Sequence, residues 1–140
     1  MNTRLFALVV GVLYLLVGLA AFIPGFVAGR DHELMVNAGE GDLFGIFPVN
    51  VLHHVVHLLI GVLGVLAYRT FDASRTYARG LAIVYGLLAV MGLIDAANLN
   101  TTFGLVPIFG ADVWLHAVTA VVAAYFGWGH VPARSEAASA

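Results

Sequence analysis

The chain has no cysteine and no lysine, and only 10% of its 140 residues are charged. Without cysteine there is no disulfide, no thiolate ligand and no cysteine nucleophile, so a metal would have to be held by imidazole and oxygen donors. The six basic residues are all arginines, scattered without a block, and are set against eight acids. A nucleic-acid partner therefore has no electrostatic basis. Also missing are a serine nucleophile with an accompanying base, a glycine-rich phosphate loop and paired catalytic carboxylates. Their absence argues against the enzymology of soluble proteins and leans the reading away from an enzyme.

What the chain does contain is apolar surface. It is 61% hydrophobic with a mean hydropathy of +0.97, far outside the range of soluble domains. This composition predicts an integral membrane protein whose first partner is the lipid bilayer. Leu5 to Gly29 carries no charge, and a helix of that length crosses a hydrocarbon core of about 30 Å at about 1.5 Å per residue. Four spans are expected, at about residues 5–27, 48–68, 77–97 and 111–129. They form one domain, 1–130, followed by a short tail, 131–140. Pro24-Gly25 closes the first span, and Pro48 suits the first turn of the second. Residues 30–43 read as an exposed acidic loop, in which Asp31-His32-Glu33 forms a solvated face rather than a ligand cage. Asn100-Thr101-Thr102 fits a glycosylation sequon that has no meaning in a bacterium.

The halves of the chain resemble each other. Phe44-Gly-x-x-Pro48 and Phe103-Gly-x-x-Pro107 share a frame, and His57 and His116 each lie nine positions after the proline. Arg4, Tyr14 and Gly18 match Arg75, Tyr85 and Ala89 at a constant offset of 71. The first span thus has a counterpart, which argues against a cleaved signal peptide. Arg4, Arg69, Arg75, Arg79 and Arg134 fall on one side of a four-span topology and only Arg30 on the other. Both termini are therefore expected in the cytoplasm, in a bacterial inner membrane. Both halves would run the same way through the bilayer, giving an all-α four-transmembrane-helix bundle of two parallel-repeat hairpins.

The polar residues cluster on the repeated positions. With His53 at 0° on a helical wheel, His57 falls at about 40°, Asn50 at about 60° and His54 at about 100°. Gly61 and Gly64 continue this arc, and small residues let membrane helices approach closely. On the fourth span Asp112 occupies the place of His53, and His116 that of His57. His57 and His116 lie roughly 13 Å beyond their prolines, near mid-membrane, where an unpaired ionisable group costs at least about 2.5–3.5 kcal/mol. Asp95, near the outer end of the third span, is a candidate for the same cluster. Tyr14 and Tyr85 are placed to reach it from below, and Trp114 and Trp128 read as interfacial belt residues.

Three readings follow. His53, His57, Asp112 and His116 form a ligand set suited to Zn, Cu or Fe, with Asn50, His54 and Asp95 around them. A variant places haem between His57 and His116, against which the glycine and alanine faces imply helices too close for a macrocycle. Alternatively the cluster only hydrogen-bonds the helices together, as in a structural or accessory subunit that joins membrane protein partners or a homo-oligomer. The third reading is a station for protons or a small solute, weakened because the cluster stops short of the cytoplasmic half.

Phe47-Pro-Val-Asn50 with His53 and His57, together with Asp112-Val-Trp-Leu-His116, resembles the DUF4383 family of small bacterial, largely actinobacterial, membrane proteins. The likeness runs from Arg4 to about Gly129. It implies a four-helix integral membrane protein and brings no activity, cofactor or substrate with it. The family pattern carries asparagine where this chain has His54, which leaves His54 the least supported ligand.

Overall fold

The computed structural model describes residues 2–29 and 32–129. Arg30, Asp31 and the expected tail at 131–140, with Arg134, lie outside the described residues. Four α-helices dominate: α1 (Thr3–Ala20), α2 (Val51–Ala67), α3 (Phe71–Gly92) and α4 (Ala111–Ala124). Three short strands, β1 (Val27–Ala28), β2 (Gly41–Leu43) and β3 (Phe47–Val49), pair antiparallel in the order β1-β2-β3. A 3-10 turn spans Ala96–Thr101, and a π turn, Tyr125–Gly129, prolongs α4.

Several boundaries differ from those read in the sequence. The first helix ends at Ala20 instead of about residue 27, because Val27 and Ala28 pair with Leu43 and Asp42. Pro48 lies in β3 opposite Asp42, not in the first turn of α2. A proline lacks only the donor, so an edge strand admits it as readily as a helix start. The third helix runs from 71 to 92, not 77 to 97, because Thr70 caps it by accepting from the Ala73 amide. The acidic loop is not a free solvated face. Leu34 and Asp42 are buried, the Met35 amide donates to the Gly104 carbonyl, and the Val51 amide donates to Ala38. The loop therefore lies folded over one end of the helices.

The helices associate chiefly as α1 with α2 and α3 with α4. In the first pair the backbones nearly touch: a Cβ at Gly11 would lie 2.7 Å from the Val65 nitrogen, and one at Gly61 2.8 Å from the Leu15 nitrogen. The far ends of α2 and α4 are closed by arginines. Arg4 Nε donates to the Tyr68 carbonyl at 3.0 Å, and Arg75 and Arg79 donate to the Gly127 carbonyl at 3.0 and 2.9 Å. Helix C-termini leave carbonyls without intrahelical donors, and guanidinium groups satisfy them while complementing the helix dipole. The same arginines lie over Tyr68, Phe71 and Trp128, making a basic and aromatic rim at this end.

The interior is layered. Near the arginine rim Phe6, Leu81, Tyr85 and Phe126 form an apolar core, with Phe6 and Phe126 stacked at 4.6 Å. At the opposite end Ala20, Leu43 and Val49 join α1 to the sheet. Between these lies the polar cluster. The outward faces of all four helices are apolar and exposed, with Leu16, Leu63, Leu87 and Val121 among them. α1 is long and apolar enough to cross a membrane, while α2 is equally apolar and a residue shorter.

Gly11→Ala is expected to lower the midpoint of thermal unfolding, because the added methyl meets backbone that cannot yield; overpacking of this kind costs about 1–3 kcal/mol. Gly80→Ala, in open space on α3, should instead raise the midpoint, alanine being favoured over glycine by about 1 kcal/mol in a helix. Circular dichroism melts of the two variants against the parent provide the check.

Candidate metal centre

The site begins with Asn50. Its side chain accepts from the His53 amide at 2.9 Å and so caps α2, while its amide nitrogen donates to the carbonyls of Val36 and Leu105 at 2.8 and 2.7 Å. One fully buried side chain thus ties together the helix start and both overlying loops. Asparagine is required here because the position needs an acceptor and two donors at once. The cap sets His53 in the first turn of α2, pointing inward. Across the interface Asp112 lies in the first turn of α4, where the positive end of the helix dipole favours a carboxylate. His116 follows one turn later on the same face.

His53, Asp112 and His116 converge. His53 Nε2 is 3.7 Å from Asp112 Oδ2, and His116 Nε2 is 3.8 Å from the same oxygen. One ligand atom from each residue lies within 4.8 Å of the others, and all three residues are buried. A buried His/Asp group of three could therefore hold a metal ion. His57 stands beside this trio rather than in it, its ring 4.5 Å from that of His53. His54 is buried, its ring 6.3 Å from that of Phe22 in the turn after α1. Asp95 is not brought to the cluster: it is exposed, and its carboxylate accepts from Asn100 at 2.9 Å. Helix α3 ends at Gly92, and the chain turns away before Asp95 can face inward.

Below the trio each histidine of the deep pair meets a tyrosine edge. Tyr14 lies 5.1 Å from His57 at 75°, and Tyr85 lies 5.0 Å from His116 at 73°. The cluster is short of hydrogen bonds. Of the buried side-chain nitrogen and oxygen atoms without a hydrogen-bond partner among the described residues, all but Thr3 Oγ1 belong to His53, His54, His57, Asp112 and His116. Each such group costs about 1–3 kcal/mol if nothing binds it.

His32, expected on a solvated face, is instead paired. His32 Nε2 lies 3.1 Å from Asp42 Oδ1, its amide donates to the Glu40 carboxylate, and its ring meets that of Phe109. The strand that holds Asp42 is three residues long, too short to be announced by its sequence pattern.

The geometry defines a helical protein with a buried imidazole and carboxylate centre. The chain belongs to the family described as Domain of unknown function (DUF4383), whose model matches residues 4–129. No curated protein and no solved structure matches the chain.

Asn50→Ala is expected to destabilise the fold by about 2 kcal/mol or more, from the lost cap together with two carbonyls left without donors. Asn50→Asp retains the cap acceptor but not the donors, so it should fail to restore the melting midpoint. Recovery to the parent value in that variant would place the contribution of Asn50 in the cap alone.

Proposed function

We propose that the chain is a multi-pass membrane protein that holds one transition-metal ion between His53, Asp112 and His116. The membrane part rests on the distribution of polarity. The histidines of α2 and α4, Asp112 and Asn50 are buried within an otherwise apolar interior, whereas the outward faces of the helices carry leucine, valine and isoleucine. That is the reverse of a protein surrounded by water. Helices of 18, 17 and 22 residues, with α4 and its π turn running from 111 to 129, have lengths suited to a core of about 30 Å. The arginine and aromatic rim would lie at the cytoplasmic face, with both termini inside and the two hairpins running parallel. Equivalent contacts in the two halves support a duplicated design. Arg4 with Tyr68 and Tyr14 with His57 correspond to Arg75 with Gly127 and Tyr85 with His116, at offsets of 71 on the first helix of each hairpin and 59 on the second.

The observation that carries the metal reading is the placement of two imidazole nitrogens 3.7 and 3.8 Å from one buried carboxylate oxygen. This is too long for a hydrogen bond. It is close to the spacing of donors around one ion, since bonds of about 2.0–2.2 Å in tetrahedral array put donors about 3.3–3.6 Å apart. Two imidazoles and a carboxylate with an open fourth position suit Zn, Cu or Fe and leave room for an exogenous ligand. A cluster whose only role was to join helices would be expected to make hydrogen bonds, and this one leaves Asp112 Oδ2 and the Nδ1 atoms of His53 and His116 without a partner. Haem between His57 and His116 gains no support from a cavity of about 240 Å³ lined by both, since cofactor pockets run from about 300 Å³ upward. A proton or solute path is opposed by the apolar core around Phe6, Leu81 and Phe126 below the cluster.

Metal analysis of the detergent-purified full chain, after incubation with Zn, Cu or Fe and removal of the excess, should find about one equivalent bound. His53→Ala, Asp112→Asn and His116→Ala should each reduce it roughly tenfold or more, while His57→Ala retains it. Less than about a tenth of an equivalent of every metal in the parent protein would sink the metal reading.

A further inference from the structure

The arginines at the far ends of α2 and α4 are not used alike. In the first hairpin one guanidinium closes the helix end, with Arg4 Nε donating to the Tyr68 carbonyl at 3.0 Å. In the second, Arg75 and Arg79 both donate Nε to a single oxygen, the Gly127 carbonyl, at 3.0 and 2.9 Å. On the duplicated design proposed above, Arg75 corresponds to Arg4 at the offset of 71, whereas Arg79 corresponds to Leu8. Arg79 is therefore surplus to closing the helix. The shared acceptor brings the two Nε atoms within about 6 Å of each other, and like charges so close repel. Among the described residues no carboxylate pairs with either arginine, and Asp72, the acid of this rim, is exposed. Both guanidinium groups are held in place: Arg79 lies over the Trp128 ring at 5.5 Å and Arg75 over the Phe71 ring at 5.9 Å. With Nε committed, each keeps the remaining N–H donors of its planar fork. Two such forks match the oxygens of a phosphate. Both side chains are half-buried, so the pair can be reached from outside.

In the orientation proposed above this end lies at the cytoplasmic interface, at the depth of lipid phosphates, where basic pockets between helices meet anionic headgroups. Ile83 and Leu87 follow Arg79 at helical spacing and are exposed, offering an apolar strip along which acyl chains run inward. A zwitterionic headgroup would bring its own ammonium to two guanidinium groups, whereas an anionic one brings net negative charge. We propose that Arg75 and Arg79 bind the phosphate of an anionic phospholipid of the cytoplasmic leaflet. The inference rests on the membrane reading above and is independent of the ion.

The test titrates the full chain, delipidated in neutral detergent, with dioleoylphosphatidylglycerol or dioleoylphosphatidylcholine and counts bound lipid by native mass spectrometry. One phosphatidylglycerol is expected to bind roughly tenfold more tightly than phosphatidylcholine. Arg79→Leu, which gives α3 the residue of the first hairpin, should remove that preference. Arg79→Lys should restore only part of it, supplying charge without the fork. Melts in the same detergent separate binding from capping. Without lipid, Arg79→Leu should melt no lower than the parent, because Arg75 still serves Gly127. With phosphatidylglycerol only the parent should gain. Equal affinity of the parent for both lipids, or an undiminished preference in Arg79→Leu, would overturn the inference. So would a lipid-free midpoint lowered by Arg79→Leu, which makes Arg79 a cap, or protection by inorganic phosphate equal to that by the lipid, which assigns the pair to a free anion. A carbonate wash of the membranes tells the failures apart. A chain that washes off fails at the membrane reading, and the lipid site falls with it. A chain that stays embedded without preferring phosphatidylglycerol fails only at the lipid site.

Discussion

Asp112 is a carboxylate 2% exposed to its surroundings, and a buried charge is tolerated only when partners replace the water it has lost. That requirement is left to groups that face it without bonding it: the imidazole nitrogens of His53 and His116 stand at 3.7 and 3.8 Å, beyond hydrogen-bond distance, and Asp112 Oδ2 has no hydrogen-bond partner among the described residues. His53 comes from the first turn of α2, and Asp112 lies in the first turn of α4. His116 is added one turn deeper, and the cap made by Asn50 keeps the first turn of α2 in register with the loops above it. Loosening any of these would part the three side chains, so the loops, caps and crossings near them are constrained together.

On the duplicated design proposed above, the scaffold around that carboxylate is nearly the same on both sides, but the chemistry is not. An arginine closes the far end of α2 and another the far end of α4, and a tyrosine edge supports each deep histidine. At the top of the cluster the equivalence breaks, with histidine on α2 opposite aspartate on α4. Two histidines there would place like charges together on protonation, and two aspartates would repel outright. One of each gives a mixed donor set on a symmetric frame.

Much of this was legible in the sequence because helical spacing is local. His53 and His57, or Asp112 and His116, share a face whenever their segment is helical, whatever surrounds it. The glycines of α2 announced close approach for the same reason, and Gly61 and Gly64 do lie against the backbone of α1. The helix ends were not legible. Val27, Ala28 and Pro48 are compatible with a helix terminus or an edge strand, and the pairing of Val27 with Leu43 that decides between them spans a polar loop. That loop was mistaken for a solvated one because its composition is polar, while its backbone groups are engaged with Gly104 and Val51 and with the side chain of Asn50.

The sequence by itself determined which residues could act: a cysteine-free, lysine-free, apolar chain with histidines and an aspartate at equivalent helical positions leaves few other groups to do chemistry. The tertiary structure alone decided which of them meet. It drew one ligand atom each of His53, Asp112 and His116 to within 4.8 Å of one another, set His57 beside them, and left Asp95 outside. The reason is physical. A helix repeats every 3.6 residues by its own backbone hydrogen bonds, so faces can be read from spacing alone. Distances between faces depend on how closely two helices cross. That is fixed by contacts such as those of Gly11 with Gly61 and Gly64, which no single segment encodes.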